Sequence, residues 1–241
     1  MNMRGLSRSG VDLVQKLFYL LFEDPNSDGT KLRERLCEKA VPAILAIGAT
    51  EISVFGSDAD VAAGVPVRKS DPPIRAMVSF WLHDAADRGP AEDALAALVE
   101  GGIAGYLVVE SCPMVHDRRK GQRTRGMKQI SCISKRPELS QQEFIRIWHD
   151  DHRKVAIETQ STFGYVRNEI VRALTPDAPV QWSAIVEESF PIEALDDPRV
   201  FFDATTPEQY SANLKRMVES CNRFLNLESI EVTFVSEYYM G

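Results

Sequence analysis

The stretch Leu139 to Ala156, LSQQEFIRIWHDDHRKVA, places Phe144, Trp148 and His152 at steps of four. A histidine titrates near working pH, so it can both take a proton from a carbon beside a carbonyl or phenol and return one. The run FGYVRNEIV that follows adds Tyr165, Arg167 and Glu169. Tyr165 and Arg167 suit the stabilisation of a developing enolate or phenolate. Glu169 suits orienting an imidazole or acting as a second acid–base group. A histidine on an apolar helical stripe is also the pattern of a hydrogen-bonded core residue, so the spacing alone leaves both roles open.

These residues need a helix and a strand to hold them. Ser140 and Glu143 form an S-x-x-E capping box, which starts a helix running from Ser140 to about Gln160. Steps of four advance only about 40° around a helix, so Phe144, Trp148, His152 and Val155 share one stripe while His149, Asp150 and Arg153 point elsewhere. In the strand Phe163 to Ala173, alternation groups Phe163, Tyr165, Arg167 and Glu169 on one face and Val166, Asn168 and Ile170 on the other. The second set is expected under helices and the first in a pocket. Trp148 and Arg167 are then substrate-binding candidates.

The first half of the chain offers IRAMVSFWLHD, with Arg75, Met77, Ser79, Trp81 and His83 on one face and Ile74, Ala76, Val78, Phe80 and Leu82 on the other. Arg75, Trp81 and His83 are candidates for an opposite wall. Arg75 and Arg167 could each hold a carboxylate or phenolate, and His83 reads equally well as a surface histidine at a strand end.

The order of elements repeats. Strand Val11 to Phe22, helix KLRERLCEKAVPAILAIG with Pro42 expected to kink or interrupt it, strands TEISVFG and IRAMVSFWL, helix GPAEDALAALVEG and strand AGYLVVESCPM give β-α-β-β-α-β. After a basic segment, His116 to Gly126, come strand Met127 to Ser134, the capped helix, strands Phe163 to Ala173 and Val180 to Glu188, a helix at about Pro207 to Leu225 and strand Ile230 to Tyr238. The expected fold class is α+β. Two tandem ferredoxin-like (βαββαβ) repeats, 11–115 and 127–241 joined by the linker 116–126, bury their open sheet faces together as a pseudo-symmetric dimeric α+β barrel.

The repeat also weighs on His152. LRERLCEKA in the first half aligns without gaps on FIRIWHDDH, putting Leu32, Leu36 and Ala40 in the places of Phe144, Trp148 and His152. The scaffold therefore builds without the tryptophan or the histidine, which points to one specialised site rather than two.

RPELSQQEFIRIWHDDH followed by FGYVRNEIV resembles the EthD family of the dimeric α+β barrel superfamily. Trp148, His152, Tyr165 and Asn168 match the family's positions, while Glu169 stands where many members have a histidine. The resemblance covers Arg136 to Val171 specifically and rests on topology alone for residues 11–115. It implies a barrel whose central cavity holds a hydrophobic, often aromatic or polyketide-like compound, usually without a bound cofactor. The expected activity is that of a lyase, dehydratase, cyclase or isomerase, with His152, Tyr165 and Glu169 catalytic. The alternatives are a non-catalytic carrier of a hydrophobic compound and a haem- or quinol-related oxidoreductase.

Composition narrows the partners. Across 241 residues the net charge is −7, which opposes attraction to phosphate backbones or anionic lipid, so neither nucleic acid nor a membrane surface is expected. No apolar run spans a bilayer and MNMRGLSRSG lacks the apolar core of a secretory signal, so a cytoplasmic protein is expected. Cys37, Cys112, Cys132 and Cys221 form no C-x-x-C pair, and His149 and His152 fall on different helix faces, so no metal site is expected. Phosphate loops and a G-x-S-x-G elbow are absent from the sequence. A duplicated chain completes its own barrel and leaves association into a homodimer open.

Overall fold

The computed structural model describes residues 14–176 and 182–241. Residues 11–13 of the expected first strand and residues 180–181 of the strand expected over Val180 to Glu188 lie outside them.

Strands β1 (Gln15–Phe22), β2 (Thr50–Gly56), β3 (Ile74–Leu82) and β4 (Ile103–Met114) come from the first half. A short β5 (Gln122–Arg123), in the segment expected as linker, precedes β6 (Met127–Ile133), β7 (Gly164–Ala173), β8 (Ala184–Phe190) and β9 (Glu231–Tyr239). The helices are α1 (residues 29–46), α2 (Gly89–Ala96), α3 (residues 141–159) and α4 (Pro207–Asn222). Among the described residues no helix is long and apolar enough to cross a membrane.

The strands run β2-β3-β1-β4-β7-β8-β6-β9, and β9 returns to pair with β2, closing an antiparallel barrel. Each half contributes its fourth, first, third and second strands as neighbours in that order. The halves meet where β4 pairs with β7, Ser111 opposite Arg167, and where β2 pairs with β9, Ser53 opposite Tyr239. Closure leaves both faces of most strands buried. This explains why β1, QKLFYLLF, reads as an unbroken apolar run rather than an alternating one.

Among the described residues, three of the four apolar clusters bear on this geometry. Leu17, Tyr19, Val78 and Phe80 pack under α1 and α2. Phe18, Leu20, Phe55, Met77, Ile130 and Ile185 fill the barrel itself. Phe144, Trp148, Tyr165, Val186, Met217 and Phe224 pack between the sheet and α3 and α4.

Helix starts are locally encoded. Asp28 caps α1 by accepting from Thr30 N and Lys31 N; Ser140 and Glu143 cap α3 reciprocally; Thr206 caps α4 ahead of Pro207. Both α1 and α3 pass through a π turn, Leu36–Ala40 and Ile147–His152. The two coincide in the ungapped alignment of LRERLCEKA on FIRIWHDDH. In α1 the Val41 N–H reaches back five residues to Leu36 O, and Pro42 opens the α-helical turns that follow. The helix therefore continues through the proline instead of ending at it.

Candidate active site

The expected orientation of β7 is reversed. Tyr165 packs against Trp148 beneath α3, whereas Asn168 points into the barrel, where its amide donates to Glu187 Oε1 at 3.0 Å, and Ile170 joins the barrel core. Alternation fixes which residues share a face and not which face turns inward. Asn168 is accommodated there by Ile185 O and by Glu187, whose carboxylate Lys16 of β1 and Lys128 of β6 hold in turn.

A cavity of about 240 Å³ lies between the C-terminal half of the sheet and α3 and α4. Trp148, His152, Met217, Phe224 and the half-buried Phe201 and Phe202 give it apolar walls, and Gln129, Tyr165 and Glu188 supply polar groups from the sheet. An apolar cavity of about 150 Å³ is enough for benzene. This one has room for a compound of about two fused rings.

Within it, Trp148 Nε1 donates to the Tyr165 hydroxyl at 2.9 Å, and both side chains are about 1% exposed. With its oxygen accepting from the indole, the phenol keeps its own O–H to give to a ligand. Burial, with Glu188 nearby, pushes Tyr165 far above the ordinary phenol range, so it stays protonated.

His152 lines the same cavity, its Nδ1 2.9 Å from Ser220 Oγ and its ring 4.7 Å from that of Phe224. Burial, aided by the Arg223 charge, lowers it to about 4, so the imidazole is neutral at pH 7. Glu188 is the group in the cavity poised near neutrality. It is 8% exposed, among the described residues its carboxylate has only the Gln129 amide at 3.4 Å, and burial raises it to about 7.

The remaining sequence candidates lie elsewhere. Glu169 and Arg167 sit under the flank of α3 and do not line the cavity. Glu169 Oε1 stands 3.3 Å from His149 Nε2 without hydrogen-bonding geometry. Arg167 donates from Nε to Ser111 Oγ at 3.0 Å, with its guanidinium 5.8 Å from the Trp148 ring. Trp81 faces a separate cavity at one mouth of the barrel. Arg75 is near the start of α1, donating to Ser27 O at 3.0 Å, and His83 is exposed just beyond β3. The structure thus gathers Trp148, His152 and Tyr165 and separates them from Arg75, Trp81 and His83.

Sequence reading missed Glu188 and Gln129, which line the cavity, and Ser220, which bonds His152. The signal for Glu188 was the pair of consecutive glutamates in the apolar strand AIVEESF: in a strand buried on both faces, each side must take one carboxyl. Among the described residues no three His, Cys, Asp or Glu side chains are grouped so that they could hold a metal ion.

No family model and no curated protein matches the chain. Solved structures do resemble it. An anthrone oxidase-like protein aligns at 10% identity over 95% of this chain and 93% of its own, with a TM-score of 0.55. A protein named as a monooxygenase, from Lactobacillus acidophilus, aligns at 11% identity over 95% and 96% with a TM-score of 0.47. A chlorite dismutase of Candidatus Nitrospira defluvii aligns at 10% identity over 92% and 90%, with a TM-score of 0.48. With its closed antiparallel sheet and outer helices, the chain has an α+β barrel fold, which it shares with the anthrone oxidase-like protein.

Proposed function

We propose that this protein is a cofactor-independent enzyme of EthD type that moves protons on a hydrophobic, aromatic-sized carbonyl or phenol compound held under α3 and α4. The observation that carries the reading is Glu188, a buried carboxyl without a cationic partner, raised to about 7 and lining a cavity beside the O–H of Tyr165. A group with such a pKa is populated in both forms at neutral pH, which suits general acid–base catalysis. The Glu188 carboxylate takes the proton from the carbon beside the carbonyl. Tyr165, aimed by Trp148, donates a hydrogen bond to the enolate oxygen, and Glu188 returns the proton to carbon or to a departing hydroxyl. The outcome is isomerase, cyclase or dehydratase chemistry. His152, neutral and fixed by Ser220, serves as a hydrogen-bonding wall. In this reading the shared strand order of the two halves reflects tandem ferredoxin-like repeats, 11–115 and 127–241 around the linker 116–126, with the chemistry kept in the second.

The volume of this cavity, below the range of about 300–1,000 Å³ seen for drug-sized ligands, favours a compound smaller than a tetrapyrrole.

The test uses 2-tetralone deuterated beside its carbonyl. Wild-type protein is expected to bind it and to speed release of the label into water, followed by proton NMR, with the acceleration lost in Glu188→Gln. Saturable binding with exchange no faster than in buffer would overturn the enzymatic reading in favour of a carrier. Absence of binding to two-ring ketones and phenols alike would overturn the ligand class.

A further inference from the structure

The second cavity, about 280 Å³ at one mouth of the barrel, lies on the other side of the sheet from Glu188. It is built from both halves. Lys16 of β1 contacts Glu110 and stands 3.3 Å from Glu187 Oε1, while Lys128 of β6 bridges Glu187 Oε2 at 2.9 Å and Glu237 Oε2 at 3.0 Å. Both lysines are 4% exposed or less.

The two central carboxylates differ in one respect. Glu187 has both oxygens hydrogen-bonded, Oε1 by Lys16 and Asn168 and Oε2 by Lys128. Glu237, 2% exposed, has Oε2 engaged by Lys128 and by His116 Nε2 at 3.3 Å, but among the described residues its Oε1 has no hydrogen-bond partner. Arg118 Nη1 is 3.8 Å from that oxygen, beyond hydrogen-bond reach, and Arg118 is committed to the rim, where it pairs with Glu51 and lies 4.5 Å over the Tyr239 ring. A buried carboxylate oxygen left without a donor is costly, so it marks a place where a donor is supplied from outside.

Charge and wall chemistry narrow that donor. The lining carries four carboxylates (Glu51, Glu110, Glu187, Glu237) against three lysine and arginine cations (Lys16, Arg118, Lys128), with His116 beside Glu237. Trp81, Met114 and Val166 add apolar surface. We infer that the barrel mouth is a second ligand site, for a small organic ammonium ion whose N–H donates to Glu237 Oε1 and whose hydrocarbon part rests on Trp81. An ammonium satisfies the orphaned oxygen and adds a cation where carboxylates outnumber lysine and arginine, and an aromatic face favours a cation beside it. This site is independent of the proton chemistry under α3 and α4.

The experiment titrates full-length nitrogen-15-labelled protein with benzylamine, benzyl alcohol and benzoate. It follows the indole N–H resonance of Trp81, identified as the one missing from Trp81→Phe. Benzylamine should shift it saturably, and the alcohol and benzoate should bind about tenfold more weakly or not at all. Glu237→Gln should weaken benzylamine roughly tenfold. Should that variant not fold, Glu110→Gln, on the half-exposed side of the cavity, should lower affinity in the same sense. Glu188→Gln should leave benzylamine binding unchanged, so failure here and failure of the proposed chemistry are separable. No saturable shift, equal binding of the three compounds, or shifts centred on the Trp148 indole would overturn the inference.

Discussion

Glu187 and Glu188 are neighbours in β8 that face opposite sides of the barrel wall, and their acidities diverge. Glu187 meets Lys16 and Lys128 in the interior, and these charges hold it well below the carboxylate range despite complete burial. Glu188 meets an apolar cavity and one amide, and burial raises it to about 7. The same side chain on one strand is thus a structural anion on one face and a titrating acid on the other.

Glu188→Gln should stabilise the protein above neutral pH. The folded-state value of about 7 exceeds the ordinary 4.5, so the folded form binds the extra proton, and this contribution is intact below about pH 4.5 and lost as pH rises through 7. The shift corresponds to a scale of about 3 kcal/mol. Urea titrations at several pH values should show the wild type losing stability relative to the variant across that window, with turnover reduced about 10²- to 10⁴-fold in the variant. A constant gap between them would remove Glu188 as the titrating group.

His152 works in the opposite sense. Its folded-state value of about 4 lies below the ordinary 6.5, so the unfolded chain takes up the proton first and stability falls as pH drops from about 6.5 to 4, again on a scale of about 3 kcal/mol. His149, also lowered to about 4, adds to the same trend. Because Glu188 opposes His152 and His149 between about pH 4.5 and 6.5, the wild-type profile should rise less steeply there than that of Glu188→Gln and more steeply than that of His152→Phe, in which His149 and Glu188 offset each other.

The Trp148–Tyr165 hydrogen bond should behave as a coupled pair. Trp148→Phe or Tyr165→Phe each leaves a buried polar group without its partner and should cost about 1–3 kcal/mol in denaturant unfolding. The double variant should cost less than the sum of the two, since the second change removes the stranded group. Additive losses would mean the bond contributes nothing of its own.

Lys128→Met should be among the most damaging single changes in the barrel, at about 3–5 kcal/mol, because it leaves Glu187 and Glu237 buried with their main cation gone. With Lys128 present both carboxyls are held low, Glu237 at about 2, so the network's contribution is in place above about pH 4.5 and fades on acidification. The deficit of the variant should therefore shrink in acid. A deficit that does not change with pH would point to lost packing instead.

Much of the local structure was readable in advance. The capping box at Ser140 and Glu143 set where α3 begins, and steps of four put Phe144, Trp148 and His152 on one stripe, as found under the sheet. Alternation sorted Ala76 to Leu82 of β3 and Tyr165 to Asn168 of β7 into the faces found, but Ile74, beyond a register shift, joins Met77 in the barrel core rather than Ala76 and Val78. Pro42 misled, because a π turn five residues long lets α1 pass through it.

The sequence by itself determined the order of elements, the residues that share a face and the helix that carries His152, since capping, periodicity and alternation act over a few neighbouring residues. The tertiary structure alone decided which face of β7 turns inward, why Trp81 and Trp148 serve different cavities, and why Glu188 rather than Glu187 titrates near neutrality. Those outcomes depend on groups brought from far along the chain, such as Lys16, 171 positions from the Glu187 it neutralises. A carboxyl's acidity is set by the charges and solvent within a few ångströms of it, and barrel closure determines what those are.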